Sequence, residues 1–174
     1  VYGSHSESFL LSNIRFRDKA PSPSNPDAYV PNDLFPPQEG EGLDIGVKFN
    51  LLNGRLSGNL TYYNIERTEF PILDPDVIDI DGNAVFFPGG VEEVDGLELE
   101  MFWQMTEQFQ LIGGFTYSDS RFVKVGRGQE WALGLPRTGT NEWNASLYGK
   151  YVFTEGRFEG FTVNGGAYYA SAEE

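Results

Sequence analysis

Apolar and polar residues alternate one by one along most of this chain, and helical periodicity is absent. In 43–51, Leu43, Ile45, Val47, Phe49 and Leu51 fall on one side, and Asp44, Gly46, Lys48 and Asn50 on the other. After Asn53-Gly54 the alternation resumes: Leu56, Gly58, Leu60 and Tyr62 stand opposite Ser57, Asn59, Thr61 and Tyr63. That is the pattern of a β-hairpin. Two more pairs repeat it. Leu97, Leu99, Met101 and Trp103 are followed by Phe109, Leu111, Gly113, Phe115 and Tyr117. Trp143, Ala145, Leu147, Gly149, Tyr151 and Phe153 are followed by Phe161, Val163, Gly165, Ala167 and Tyr169. With a partial strand at the start, the pattern predicts seven strands, at about 1–9, 41–52, 55–67, 95–105, 108–119, 141–153 and 160–171. The expected class is all-β, an antiparallel up-and-down meander.

The connections alternate between short (about 52–55, 106–108, 154–159) and long (about 10–39, 68–94, 120–141). In a meander this puts every short turn at one end and every long loop at the other. All ten prolines fall within those three long stretches, away from the expected ladders. The stretch 68–94 carries its own hairpin signal, Asp81-Gly82 inside "VIDIDGNAVFF", and is expected to stand up as a small β-ribbon.

An apolar face on such a sheet meets either a protein core or lipid. A soluble sandwich or lipocalin-like barrel, acting as a ligand-binding module, alternates in the same way. Three features favour lipid. The polar face is rich in Gly, Asn, Ser and Thr and carries bulky Tyr63, Phe102 and Tyr148, which suits a crowded or wet lumen. Aromatics gather toward the strand ends on the apolar face: Trp103, Tyr117, Trp143, Tyr151, Phe153, Phe161 and Tyr169. That matches girdles at two membrane interfaces. Long loops at one end only fit the outer side of an outer-membrane barrel. The lipid-facing set is then Leu43, Ile45, Val47, Phe49, Leu60, Leu97, Leu99, Leu111, Leu147 and Val163. No stretch is long and apolar enough for a membrane-spanning helix, a test to which β-barrels are blind.

Composition narrows the functions. The 174 residues include 26 acids against 12 bases, a formal charge of −14, which argues against nucleic acid as a partner. Cysteine is absent and His5 is the one histidine. A thiolate metal site is excluded and a single histidine argues against His-based metal or triad chemistry, so no catalytic residue, metal or cofactor is assigned and the chain does not read as an enzyme.

The order of phrases goes further than periodicity. "VYGSHSESF" is similar to the Tyr-x-Ser-Tyr-Ser-x-Ser-Phe strand of TonB-dependent outer-membrane receptors, with His5 where an aromatic is usual. "PPQEGEGLDIGVKFNLLNGRLSGNLTYYNIERTEF" resembles that family's Pro-Glu-x-Gly and Glu-x-Gly-x-Lys hairpin, with Gln38 and Asp44 at the two acidic positions. "VDGLELEM", "LIGGFTYSDSRF", "LPRTGTNEWNASLYGKYVF" and "FTVNGGAYYAS" follow in the family's order. The chain most resembles the ferric-siderophore branch. The resemblance implies an outer-membrane location in a Gram-negative bacterium, a monomeric 22-strand barrel set in lipid, an N-terminal plug and a segment that engages the TonB complex. It implies uptake of a ferric siderophore or a similarly bulky ligand, with cobalamin or oligosaccharide as other cargoes of the family. No initiator methionine, plug, TonB-binding segment or terminal aromatic strand is recognisable. The expectation is therefore a fragment of the C-terminal barrel, about a third of its wall.

Candidate binding residues lie in the long loops. Aromatics Tyr29, Phe35, Phe86, Phe87 and Trp131 are candidates to line a ligand vestibule, and Arg121 and Arg127 to draw in an anionic chelate. Packing within solvated loops is the competing account for all of them. Arg137 is expected to fix its loop's return into the strand. The stretch 68–95 holds eight acids and no base, a cation site or simply a solvated loop; its "DIDGN" fails the spacing of an EF-hand.

Overall fold

The structure is a computed structural model that describes residues 1–11, 36–78, 84–126, 128–137 and 139–172; side chains are described for these except 73–78, 84–85 and 87. Seven strands form one antiparallel sheet in sequence order: β1 (Tyr2–Leu10), β2 (Gln38–Leu51), β3 (Leu56–Ile78), β4 (Ala84–Gln104), β5 (Phe109–Lys124), β6 (Trp143–Val152) and β7 (Thr162–Ala170). β1 and β7 are the two edges, so the meander is open. The first short turn carries Leu52, Asn53 and Gly54 at φ of 54°, 57° and 88°. Asn and Gly suit that left-handed path, and Leu52 is held in it by the turn.

The ladders fix which residues share a face. Ile45 pairs with Tyr62, Val47 with Leu60, Leu60 with Leu99, Leu99 with Phe115, and Gly113 with Leu147. Directly paired residues point the same way. Leu43, Ile45, Val47, Phe49, Leu60, Leu97, Leu99, Leu111, Leu147 and Val163 thus lie on one face. Among the described residues no element packs across that face: the principal strand contacts are between sequence neighbours, and no large side chain is fully buried. Val47 is 47% exposed and Leu147 50%. The residues buried within the regular ladders, Gly46, Thr61, Glu92, Gly96 and Ser120, all belong to the opposite, polar face. A soluble sandwich has the reverse arrangement.

On the polar face, rings lie over glycines of the next strand. A Cβ at Gly96 would stand 2.1 Å from the Tyr63 ring, and one at Gly46 2.5 Å from the Tyr2 ring. Tyr148 covers Gly166 in the same way, at 3.2 Å. The missing side chain lets each ring lie flat on the backbone.

β3 and β4 are longer than the alternation implied. They run past Thr68 and Val94 as a continuous ribbon paired as far as Ile78 and Ala84. Pro71, Pro75 and Pro88 therefore sit within strands, which corrects their placement in a loop. Register shifts between Arg67 and Phe70, Phe70 and Ile72, and Asp74 and Ile78 explain how. A bulge leaves a residue outside the ladder, where proline's missing N–H costs no bond. β5 likewise continues to Lys124.

Candidate functional site: the two faces and the rim

The apolar face is banded along the strands. From Leu43 to Leu51 it spans the nine or so residues that a tilted strand needs to cross a bilayer. At the long-loop end Trp143 packs on Tyr117 and Phe115, with ring centroids 4.4 and 5.7 Å apart. At the short-turn end a chain of rings runs through Phe109, Tyr151, Phe153, Phe158 and Phe161, with neighbouring centroids 4.9 to 6.5 Å apart. Two girdles thus bound the aliphatic band, as in membrane barrels.

Above the upper girdle, still on the apolar side, sits a charged collar. Arg121 donates to Glu93 at 2.9 Å, Asp95 at 2.7 Å and Asp119 at 3.3 Å. Asn64 donates to Glu93 and Asp95, and the Tyr62 hydroxyl to Asp95 at 2.6 Å. His5 pairs with Glu41 at 2.9 Å. Arg121 is therefore turned away from the polar face. Arg121, a candidate for drawing in an anionic chelate, stands on the apolar side because β5 keeps its alternation beyond Ser120 and Arg121 pairs with Glu93.

The polar face carries Lys48, Asn59, Thr61, Glu98, Glu100, Thr116, Asn144 and Ser146. Lys48 lies over the Tyr2 ring, 5.2 Å from its centroid, and the Tyr2 hydroxyl bonds Thr61 at 2.6 Å. A shallow depression of about 430 Å³ runs along Ser57, Asn59, Glu100, Phe102, Ile112 and Ser146.

At the long-loop end of this face is a built rim. The β5–β6 loop folds back on β5: Phe122 N–H donates to the Leu135 carbonyl at 3.1 Å, and Gly134 N–H to that of Phe122 at 2.9 Å. Ser120, 6% exposed, accepts from the Arg137 N–H and bonds the Thr140 hydroxyl. This places Arg137 3.8 Å from Glu92, which also lies 3.6 Å from Arg67. The backbone of Arg137 is tied into the returning loop, its N–H donating to Ser120 and its carbonyl accepting from Thr140. Glu92 is one of the eight acids of 68–95, weighed there as a cation site or a solvated loop; Arg67 carries no signal of its own in the sequence. The one available signal was Glu92 standing two before Val94 and four before Gly96, in step with the polar face.

The other candidates scatter. Tyr29, Phe35 and Arg127 lie outside the described residues, and so does the side chain of Phe87. Phe86 is half exposed on the β4 ribbon, and Trp131 is exposed in a short 3-10 turn at Glu130–Ala132. The described residues do not bring these aromatics together. Among them, too, no three His, Cys, Asp or Glu are grouped to hold a metal ion. Asp79 and Asp81 of the acidic stretch are outside the described set.

The whole chain, residues 1–174, matches the family model described as TonB dependent receptor-like, beta-barrel. The chain belongs to the TonB-dependent receptor β-barrel family. It is 33% identical over 129 residues, 72% of the chain, to the metal-pseudopaline receptor CntO of Pseudomonas aeruginosa. It is 26% identical over 96% of its length to the ferripyoverdine receptor of the same species. It spans 17% and 18% of those two proteins. Among solved structures, FpvA of P. aeruginosa, bound to a heterologous pyoverdine and iron, shares the fold. The TM-score is 0.73 at 23% identity, covering 97% of this chain and 20% of that one. As in the family, this TonB-dependent receptor sheet is wall of an outer-membrane β-barrel of a Gram-negative bacterium, and the family is one of receptors.

Proposed function

We propose that this chain forms part of the wall of a receptor that takes up a ferric siderophore across the outer membrane, energised through TonB. The observation that carries this is the family match over the full chain, together with relatives named as receptors for metal-pseudopaline and ferripyoverdine. The geometry is in keeping with it. The banded face seals against lipid, with Leu43, Ile45, Val47, Phe49, Leu60, Leu97, Leu99, Leu111, Leu147 and Val163 among the acyl chains. The polar face lines the lumen and surrounds a plug supplied by the remainder of the protein. The rim and the β3–β4 ribbon stand on the extracellular side, where cargo arrives. No covalent step is involved: the wall positions, seals and admits.

Deletion of the full-length gene tests this. Cells without it, starved of iron, are expected to lose growth on at least one supplied ferric siderophore and to regain it on complementation. Unchanged growth on every siderophore supplied removes the iron reading.

A further inference from the structure

Among the described residues, the rim on the polar face holds more positive charge and more donors than its partners there consume. Two guanidiniums converge on one carboxylate, Arg67 Nη2 at 3.6 Å from Glu92 Oε2 and Arg137 Nη1 at 3.8 Å from Oε1. The Glu92 side chain is 6% exposed, while those of Arg67 and Arg137 are 39% and 54% exposed. Both separations are too long for hydrogen bonds, so the pairs are electrostatic contacts with donors left over. The Arg67 Nε is shut off from solvent and has no hydrogen-bond partner. A buried donor in that state is costly unless something accepts from it or from the group that carries it. Beside the charges is an aromatic wall. Phe70 stacks on the Arg67 guanidinium at 5.2 Å and lies 5.9 Å from Phe122. The Ser120 and Thr140 hydroxyls fix the loop that carries Arg137.

We propose that Arg67 and Arg137 form a docking point for an anionic group on the cargo, a carboxylate or a catecholate oxygen, with Glu92 as the resident counter-ion. The inference rests on reading this chain as the wall of a siderophore receptor, and it names the charge class of the chelate. Lipid headgroups are excluded as the anion's source, because the rim is on the polar face and the lipid band on the other. An arriving anion competes with Glu92 for Arg137. Arg137 then shifts its charge contact from the β4 carboxylate to the cargo. Since it is fixed to the β5–β6 loop, occupancy of the rim is felt by that loop. Arg67 stays behind, held by Phe70.

A structural triad and a docking point predict opposite signs at Glu92. If the three residues only brace the rim, losing either Glu92 or Arg137 weakens it alike. If they receive an anion, Glu92→Gln removes the competitor and Arg137→Ala removes the receptor. The test uses the purified full-length receptor, with tryptophan quenching by ferric enterobactin, an anionic tris-catecholate, by ferripyoverdine, and by ferrichrome, an uncharged tris-hydroxamate. The expected result is binding of an anionic chelate that weakens about ten-fold in Arg137→Ala and Arg67→Ala, the scale of one charge-assisted contact. Arg137→Lys should recover part of it, and Glu92→Gln should bind several-fold tighter. Heat-modifiable gel mobility reports whether each barrel is folded; if an alanine variant is not, Arg137→Lys and Glu92→Gln carry the test. Wild-type affinity in the folded arginine variants, weaker binding in Glu92→Gln, or binding of ferrichrome alone overturns the docking point and leaves the uptake function standing. Binding of no chelate, with iron-limited growth indifferent to the gene, overturns both.

Discussion

The lower wall and the upper ribbon are built from the same strands, β3 and β4, by different rules. Below Arg67 the pairing of β3 with β4 is unbroken from Leu56 to Arg67, and both faces are specified. Above it the register shifts three times, Glu69 takes a φ of 57°, and prolines enter the strands. The difference follows from what each face touches. In the wall, a one-residue slip would turn every aliphatic residue into the lumen and every polar residue into lipid, so register is held tightly. In the ribbon the ladder is interrupted at each shift, so strict alternation is not kept. Only where lipid enforces alternation does the sequence read cleanly.

The sharpest way to break this comparison is charge. Leu60→Arg in the full-length receptor should lose roughly 2–4 kcal/mol in denaturant unfolding from lipid, since Leu60 lies mid-band on the apolar face, which we propose meets lipid. Asn59→Arg, one residue away on the polar face, should stay within about 0.5 kcal/mol. Equal losses at the two positions would show that the faces are misassigned. A smaller effect comes from the ring-covered glycines. Gly96→Val must displace Tyr63 and meets the Tyr117 carbonyl at 2.6 Å, so about 1–3 kcal/mol of overpacking is expected in the same unfolding measurement. Gly165→Ala, with nothing within 4 Å of its Cβ here, is the control expected to be near neutral. Third is the collar. Arg121→Gln leaves Glu93, Asp95 and Asp119 facing one another at a partly exposed site. A loss under about 1 kcal/mol, shrinking as salt is raised, is expected. A loss independent of salt would contradict the ion-pair account. Smallest is the ribbon: Phe86→Ser, exposed at 47%, should leave the unfolding midpoint unchanged within about 0.5 kcal/mol.

These contrasts also mark what was legible before the structure. Strand number, strand order and the residues that share a face follow from Leu43 to Tyr169 because period-2 alternation records which side of the sheet each residue takes. Asp81-Gly82 signals the ribbon, which β3 and β4 form out to Ile78 and Ala84; its continuity with the wall strands is not legible, because Pro71, Pro75 and Pro88 signal loop and a bulge that shelters a proline leaves no local mark. Arg121 reads as a loop cation when the strand is taken to end at 119. Continuing Phe115, Tyr117 and Asp119 by one more step gives its true side. The Arg67–Glu92–Arg137 rim lay beyond reach, since it depends on a loop of some twenty residues folding back onto β5. The candidate aromatics were chosen by type and loop membership, and type alone says nothing about convergence.

The rings over glycines have a consequence for how such a wall is assembled. Tyr2 on Gly46, Tyr63 on Gly96 and Tyr148 on Gly166 bridge three different strand pairs. Each is a tooth that fits one notch. Sliding β3 against β4 by two residues keeps the faces correct and satisfies the backbone, so the oily band alone does not forbid it. It would, however, bring the Tyr63 ring against the side chain of Val94 or Glu98 in place of bare backbone. Lipid chooses the parity of each pairing; the teeth choose among the settings of equal parity, and so set how far each strand is staggered against the next as the wall curves toward closure.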